Sequence, residues 1–378
     1  MSQTAVPGVE PADPGMRNSR TGPFRIAVLP GDGIGREIMP PTIEVLDALA
    51  ADEGLDVRWT HLDWGTDRYL SLGSYLEPAD LDGLVGQDAI LLGAVGDPRV
   101  PDDASLWGLL LPIRQRFRQA VNLRPIMSFD GIAGPLRNGE RFDFLIVREN
   151  NEGEYAGVGG RLFSGGDREV AIESSVFTRM GAERVIRLAF DTARSRRGRL
   201  VSATKSNALR YSMTFWDAVV RDVATDYPDV NLESVHIDAL AARLVRSPHD
   251  LDVIVASNLF GDILADLGAA LMGSLGLAPS ANLNIDGDLP SMFEPVHGSA
   301  PDITGRGIAN PMAQLLSAAL MLRHLGAEAA ADRLERAVRL ALSTSAGRTP
   351  DVGGTATTIE AARAVSAALA AAEGADRG

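Results

Sequence analysis

Short apolar runs that stop abruptly at Gly, Pro or polar residues alternate with helical patterns along nearly the whole chain. This alternation constrains the fold most. Residues 24–29 (FRIAVL) read as a strand and run into Pro30-Gly31-Asp32-Gly33. Residues 36–50 follow with helical spacing, their first turns disturbed by Pro40 and Pro41. Residues 88–95 (DAILLGAV) form a buried strand that ends at Gly96-Asp97-Pro98, and residues 142–147 form one that ends at Arg148-Glu149-Asn150. Residues 231–237 and 252–256 are further strands, and each delivers an Asp or Asn at its carboxyl end. Residues 181–195 read as a helix, and residues 359–372 as a terminal helix whose last residues, 373–378, fray. The pattern predicts an α/β fold. In open α/β sheets, polar residues just beyond strand ends are where ligands bind. Residues 292–311 carry many Gly and Pro without periodicity, and so long a loop in a compact domain is usually functional.

At 378 residues and 45% hydrophobic, the chain has room for two domains. With no Cys, a disulfide framework, a zinc–thiolate site and a cysteine nucleophile are excluded. A cysteine-free chain fits a reducing, cytoplasmic setting. The net charge of −14 argues against a nucleic-acid binder. It also means that an anionic ligand must meet locally concentrated cations. Residues 1–22 read as a disordered tail and lack the apolar centre of a signal peptide. No apolar run is long enough for a membrane-spanning helix.

Several local patterns carry possible chemistry. Gly31-Asp32-Gly33-Ile34-Gly35-Arg36 sits between a strand and a helix, but the dinucleotide fingerprint needs a third glycine where Arg36 stands. The loop therefore reads locally as a tight turn. Asp262 and Asp266 are four apart and share one helix face, and Asp238 ends a strand upstream. Three such carboxylates suit Mg²⁺ or Mn²⁺; two alone better suit a helix terminus and a solvated face. Arg114, Arg116, Arg118 and Arg124 lie in one segment, with Arg148 at another strand end. Arg116 and Arg118 read as a solvated face, whereas Arg114 and Arg124 can converge on a carboxylate. Tyr155 and Lys205 lie in polar loops and suit a proton donor and a base, or simply a surface position.

The ordered motifs GDGIGREI at Gly31, LLGAVGDP at Leu91, NLRP at Asn122, VRENNEGEYAGVGG at Val147, SATKSNALR at Ser202, SNLFGDILAD at Ser257, MFEPVHGSAPDITGRGIANP at Met292 and TPDVGGTATT at Thr349 resemble the β-decarboxylating dehydrogenases. That family comprises the isopropylmalate, isocitrate, homoisocitrate, tartrate and D-malate dehydrogenases. The resemblance implies their two-domain fold, which is not a Rossmann fold and has its site in the interdomain cleft. Residues 23–119 with 276–378 would form the first, cofactor-binding domain, and residues 120–275 the second. It implies substrate carboxylates held by Arg114, Arg124 and Arg148, with Asn207, Trp107 and Leu110 also near the substrate. Tyr155 is implied as the acid, Lys205 as the base, and Asp238, Asp262 and Asp266 as metal ligands. The Lys and first Asp come from the second subunit in relatives, which implies a homodimer with shared sites. Glu294, His297, Gly298, Ser299, Ala300, Pro301, Asp302 and Asn310 are implied to hold the cofactor. The Asp302 carboxylate can accept from ribose hydroxyls and repels a 2′-phosphate, so the expected cofactor is NAD.

The expected reaction is oxidation and decarboxylation of a malate-type 2-hydroxy acid. Trp107 stands where isopropylmalate enzymes usually carry a glutamate, and SLWG with VRENNEGEY resembles the tartrate/D-malate branch. Leu109, Leu110 and Leu111 accept an alkyl chain, and Pro112 replaces the polar residue of the tartrate branch. A 3-isopropylmalate or another 3-substituted malate therefore stays open as the alternative.

Overall fold

A computed structural model describes residues 22–136 and 141–376. Residues 1–21, most of the stretch read as a tail, lie outside the described residues. The strands are β1 (Phe24–Gly31), β2 (Val57–His61), β3 (Ala89–Ala94), β4 (Val121–Met127), β5 (Asp143–Glu149), β6 (Gly153–Leu162), β7 (Val170–Val176), β8 (Arg199–Thr204), β9 (Asn231–His236), β10 (Val253–Ala256), β11 (Pro279–Leu283) and β12 (Ser291–Pro295). Ten of them form one sheet in the order β2-β1-β3-β12-β11-β4-β5-β10-β8-β9. Strands β6 and β7 pair separately as a two-stranded arm.

The sheet has two parallel flanks, β2-β1-β3-β12 and β5-β10-β8-β9. An antiparallel centre, β12-β11-β4-β5, joins them. The flanks therefore run in opposite directions, unlike a Rossmann sheet. The apolar strands β3 and β10 are buried along their whole lengths, as parallel strands covered on both faces must be. The helix Met312–His324 is buried on almost every side, and its sequence is accordingly apolar all round.

Four sequence expectations shift. The first helix is Ile34–Glu53 and contains Pro40 and Pro41 without a break. Buried Ile38, Met39, Ile43 and Leu46 seat it on the sheet, and this packing outweighs the two missing N–H donors. Asp238 does not end a strand: β9 stops at His236, and Asp238 lies in the first turn of the helix Ile237–Arg246. A carboxylate there faces the positive end of the helix. The stretch from Met292 is not loop throughout, because Met292 to Pro295 belong to β12 in the sheet centre. A short strand buried on both faces shows no alternation, so periodicity misses it. The terminal helix continues to Asp376 rather than fraying after residue 372, in keeping with its alanine-rich sequence.

Candidate active site

The antiparallel centre of the sheet carries a polar stripe. Along β4, Val121 and Leu123 face the core, so Asn122 and Arg124 face the other way. Asn122 is paired with Arg148 on β5 and with Asn282 on β11, while Ser280 is paired with Glu294 on β12. All these side chains thus share one face. Two further elements close over it. A single π-helical turn, Leu106–Leu110, leads into the helix Leu111–Arg116, which supplies Arg114. The helix Asn258–Leu271 supplies Asn258, Asp262 and Asp266 at successive intervals of four.

Between them lies a cavity of about 180 Å³, lined by Arg114, Arg124, Arg148, Tyr155, Asp262 and Glu294 on its polar side. Leu106, Leu110, Leu111 and Val95 form an apolar wall. The three guanidinium groups are buried, and carboxylates offset their mutual repulsion. Arg148 Nη1 donates to Asp262 Oδ1 at 2.5 Å, and Arg124 Nη2 lies 3.1 Å from the same oxygen. Asp266 stands off, 3.7 Å from Arg124 Nη1 and with its side chain 62% exposed. Arg114 Nη2 donates to Glu294 Oε1 at 3.0 Å. Arg148 Nε and Nη2 both donate to Asn258 Oδ1, at 3.1 and 2.7 Å.

Glycine makes this arrangement possible at one point. A Cβ on Gly261 would lie 2.6 Å from Arg148 Cγ, so only glycine lets the helix rest on the arginine stem.

Burial pushes the Arg148 pKa down to about 9, and the charges on Arg124 and Arg114 push the same way against Asp262. Arg148 therefore remains a cation at neutral pH. Burial raises the Asp262 carboxyl, but Arg148, Arg124 and Arg114 outweigh it and hold it below the usual carboxylate range. Burial raises Asp266, against the pull of Arg124. The Tyr155 hydroxyl donates to Asp262 Oδ2 at 3.2 Å, and the Arg148 guanidinium lies 5.7 Å from the centre of its ring. Burial, then the Asp262 charge, raises its pKa above the ordinary 10, so Tyr155 keeps its proton. The pocket thus combines anion-binding cations, a protonated phenol and two carboxylates.

Several other predicted site residues, among them Lys205, Asp238, Asn207 and Trp107, lie apart from this cavity. Lys205 Nζ donates to Asp238 Oδ1 at 2.7 Å, and this hydrogen bond holds the Asp238 carboxyl low. That pair does not line the cavity, and the Asp238 side chain is 69% exposed. Asn207 lines a separate depression with Ser206 and His236. Among the described residues of one chain, no three acidic, His or Cys side chains gather as a metal site. Trp107 is 44% exposed and rests against Gly157 of the arm rather than in the cavity, whereas Leu110 lines it.

The loop after β12 reaches the cavity at His297 and Gly298. Ser299 is buried, and its carbonyl accepts from Ile34 N at 2.9 Å. Gly33, with φ +52°, makes the approach possible, since a Cβ there would lie 2.2 Å from Ser299 O. The glycine turn is therefore the seat of this loop. Glu37 pins the far end by accepting from Gly305 N, Ala309 N and Thr358 Oγ1. Asn310 Nδ2 donates to Asp351 Oδ2 at 3.0 Å, while Pro301 and Asp302 lie exposed at the tip, beside Ala300 with φ +43°. Burial lowers the His297 pKa, so its ring is neutral; its Nε2 is buried and has no hydrogen-bond partner among the described residues.

Sequence reasoning missed Asn122, Asn258, Asn282 and Glu37, and placed Glu294 on a loop. The signals were present for two of them. Asn258 continues the spacing of Asp262 and Asp266, and Asn122 shares the alternation of Arg124.

The model of the isocitrate/isopropylmalate dehydrogenase family matches residues 25–367. A probable tartrate dehydrogenase/decarboxylase of Bacillus subtilis is 48% identical over 339 residues, covering 89% of this chain and 95% of the relative. The decarboxylating D-malate dehydrogenase of Escherichia coli is 47% identical over 353 residues, covering 90% and 97%. The crystal structure of isocitrate dehydrogenase from Methylococcus capsulatus superposes with a TM-score of 0.84 at 35% identity, over 92% of this chain and 99% of that one.

Proposed function

Because the chain belongs to the isocitrate/isopropylmalate dehydrogenase family and is a dehydrogenase, we propose that it oxidises and decarboxylates a malate-type 2-hydroxy acid such as D-malate or tartrate. One observation carries this reading: three buried arginines meet in a cavity sized for a small dicarboxylate. Arg114, Arg124 and Arg148 hold the two carboxylates. Their charges also favour loss of CO₂ by stabilising the enolate oxyanion. Tyr155, protonated and at the cavity wall, returns a proton to carbon.

Lys205, held by Asp238, takes the C2 hydroxyl proton. Asp238 is exposed, Lys205 is half-buried, and neither lines its own chain's cavity, which supports a role in the site of a second subunit of a homodimer. The arm β6–β7 supports that reading, because it exposes Val158, Leu162, Phe163, Val170 and Ile172 together.

Asp262 and Asp266 offer hard oxygen donors on one helix face, which fits Mg²⁺ or Mn²⁺ once Asp238 of the partner subunit completes the set. The unpartnered His297 Nε2 and the loop seated by Gly33 fit a nucleotide at residues 297–310, with Asp302 favouring NAD. A metal held there would supply positive charge that polarises the substrate oxygens, and a bound nicotinamide would supply a hydride acceptor.

The apolar wall of Leu106, Leu110 and Leu111 favours a second reading, a malate with an alkyl group at C3. NADH formation from D-malate, tartrate, 3-isopropylmalate and isocitrate with Mn²⁺ separates the two. Turnover of D-malate or tartrate is the expected result; activity on isocitrate alone would overturn the reading. NADP⁺ outperforming NAD⁺ would overturn the role of Asp302.

A further inference from the structure

Beneath the cavity, a set of amides is buried in the sheet. Asn122, Asn150 and Asn282 are all inaccessible to solvent. Arg124 Nε donates to Asn122 Oδ1 at 2.7 Å. With that oxygen turned to Arg124, Asn122 Nδ2 faces β11, where it donates to Ser280 Oγ at 2.8 Å and Asn282 Oδ1 at 2.9 Å. Asn282 Oδ1 also accepts from Asn150 Nδ2 at 3.0 Å. Asn282 Nδ2 is thereby turned to β12 and donates to Glu294 Oε1 at 2.7 Å. The same oxygen accepts from Arg114 Nη2. Hydrogen bonds directed from Arg124 through Asn122 and Asn282 therefore meet the one from Arg114 at Glu294, and the series links the two arginines across three strands. Reversing either amide would set oxygen against oxygen in a buried place, so each neighbour fixes the next.

Two donors are left over. Arg114 Nε and Arg124 Nη1 are buried and have no hydrogen-bond partner among the described residues. Both arginines line the cavity.

We infer that Asn122 and Asn282 are positioning residues whose amide relay sets the orientation and spacing of Arg114 and Arg124 for a dicarboxylate. The identity of the substrate rests on the function proposed above; the relay itself rests on the sheet. Asn282 touches neither guanidinium, so its effect must pass through Asn122 and Glu294.

The test uses the full-length enzyme with Asn122→Leu, Asn282→Leu, their combination and Asn122→Asp. The readouts are KM for D-malate, KM for NAD⁺ and the calorimetric Kd of oxalate. Asn282→Leu should raise the D-malate KM and the oxalate Kd about tenfold, the value of one charge-assisted hydrogen bond, and leave the NAD⁺ KM within about twofold. The double variant should bind oxalate no worse than the worse single variant, because the relay is already cut. Asn122→Asp keeps the acceptor at Arg124 but sets its second oxygen against Asn282 Oδ1, which cuts the relay, so it should lose oxalate affinity as Asn282→Leu does. Unchanged oxalate affinity in Asn282→Leu would overturn the inference, as would full additivity or an equal rise in the NAD⁺ KM. If the leucine variants fail to fold, Asn282→Ser takes their place with the same criteria. A wild type that binds oxalate but does not turn over D-malate would sink the substrate assignment, and the oxalate ratios would still decide the relay. A wild type that binds neither would refute both.

Discussion

Gly261→Ala adds one methyl group at the point where the Asn258–Leu271 helix crosses Arg148. The new Cβ would lie 2.6 Å from Arg148 Cγ and 2.7 Å from its Cβ. Ordinary carbon contacts fall at about 3.5–4.0 Å, so the overlap is about 1 Å. Arg148 cannot swing away. Its stem is fixed in β5, and Asn258 and Asp262 hold its head. The helix must lift, or the guanidinium must move. Overpacking of this kind costs about 1–3 kcal/mol, while alanine in place of a mid-helix glycine returns about 1 kcal/mol. Net destabilisation should therefore be about 0–2 kcal/mol, a Tm loss of only a few degrees. The effect on catalysis should be larger, because a shift of about 1 Å in a positioned group costs on the order of 100-fold. Steady-state kcat/KM for D-malate with NAD⁺ and Mn²⁺, measured beside thermal unfolding, makes the comparison. A variant with wild-type kcat/KM would show that Arg148 and the helix are not rigidly coupled, and the reasoning would fail.

Further outcomes follow from the same geometry. Tyr155→Phe should lower kcat by about 10²–10⁴-fold with little change in Tm. Since burial and Asp262 raise the Tyr155 pKa, a wild-type activity loss near pH 8 that disappears in this variant would contradict its role as the protonated acid. Lys205→Met should abolish turnover while sparing the fold, as judged by circular dichroism and size-exclusion chromatography; retained activity would remove Lys205 from the mechanism. Glu149 is a stability prediction. Burial raises its pKa to about 7 from an unfolded value near 4.5, against the opposing backbone N–H groups of Asn151 and Glu152. The folded state thus binds this proton more tightly, so stability is present below pH 4.5 and falls as the pH rises to about 7, by at most about 3 kcal/mol. Tm measured from pH 5 to 8 should decline in wild type and decline less in Glu149→Gln; parallel curves would contradict this.

Of the strands that frame the site, β3 and β5 were legible because their short apolar runs end at Gly or polar residues, whereas β11 and β12 were not. Asp262 and Asp266 were legible as one face because helical spacing is local. Their meeting with Arg124 and Arg148 was legible only through the family resemblance, since it depends on which strands lie side by side in the sheet centre. The same limit hid Asn282: it lies next to Asn122 only because β11 inserts antiparallel between β12 and β4. Glu294 shows a different limit. A five-residue strand buried on both faces has no period to detect, so it passed for loop. The glycine turn failed the dinucleotide fingerprint, and the structure explains what the glycines serve: Gly33 accommodates Ser299. Lys205 and Asp238 were legible only through the family resemblance, for one chain does not bring them to the cavity.

A crystal structure of the enzyme with D-malate and Mn²⁺ would test the account most directly. Electron density for the acid should lie between Arg114, Arg124 and Arg148, with Asp262 and Asp266 on the metal and Lys205 entering from the partner subunit. Density for D-malate at any other place, with the three arginines still paired only to Asp262 and Glu294, would contradict it.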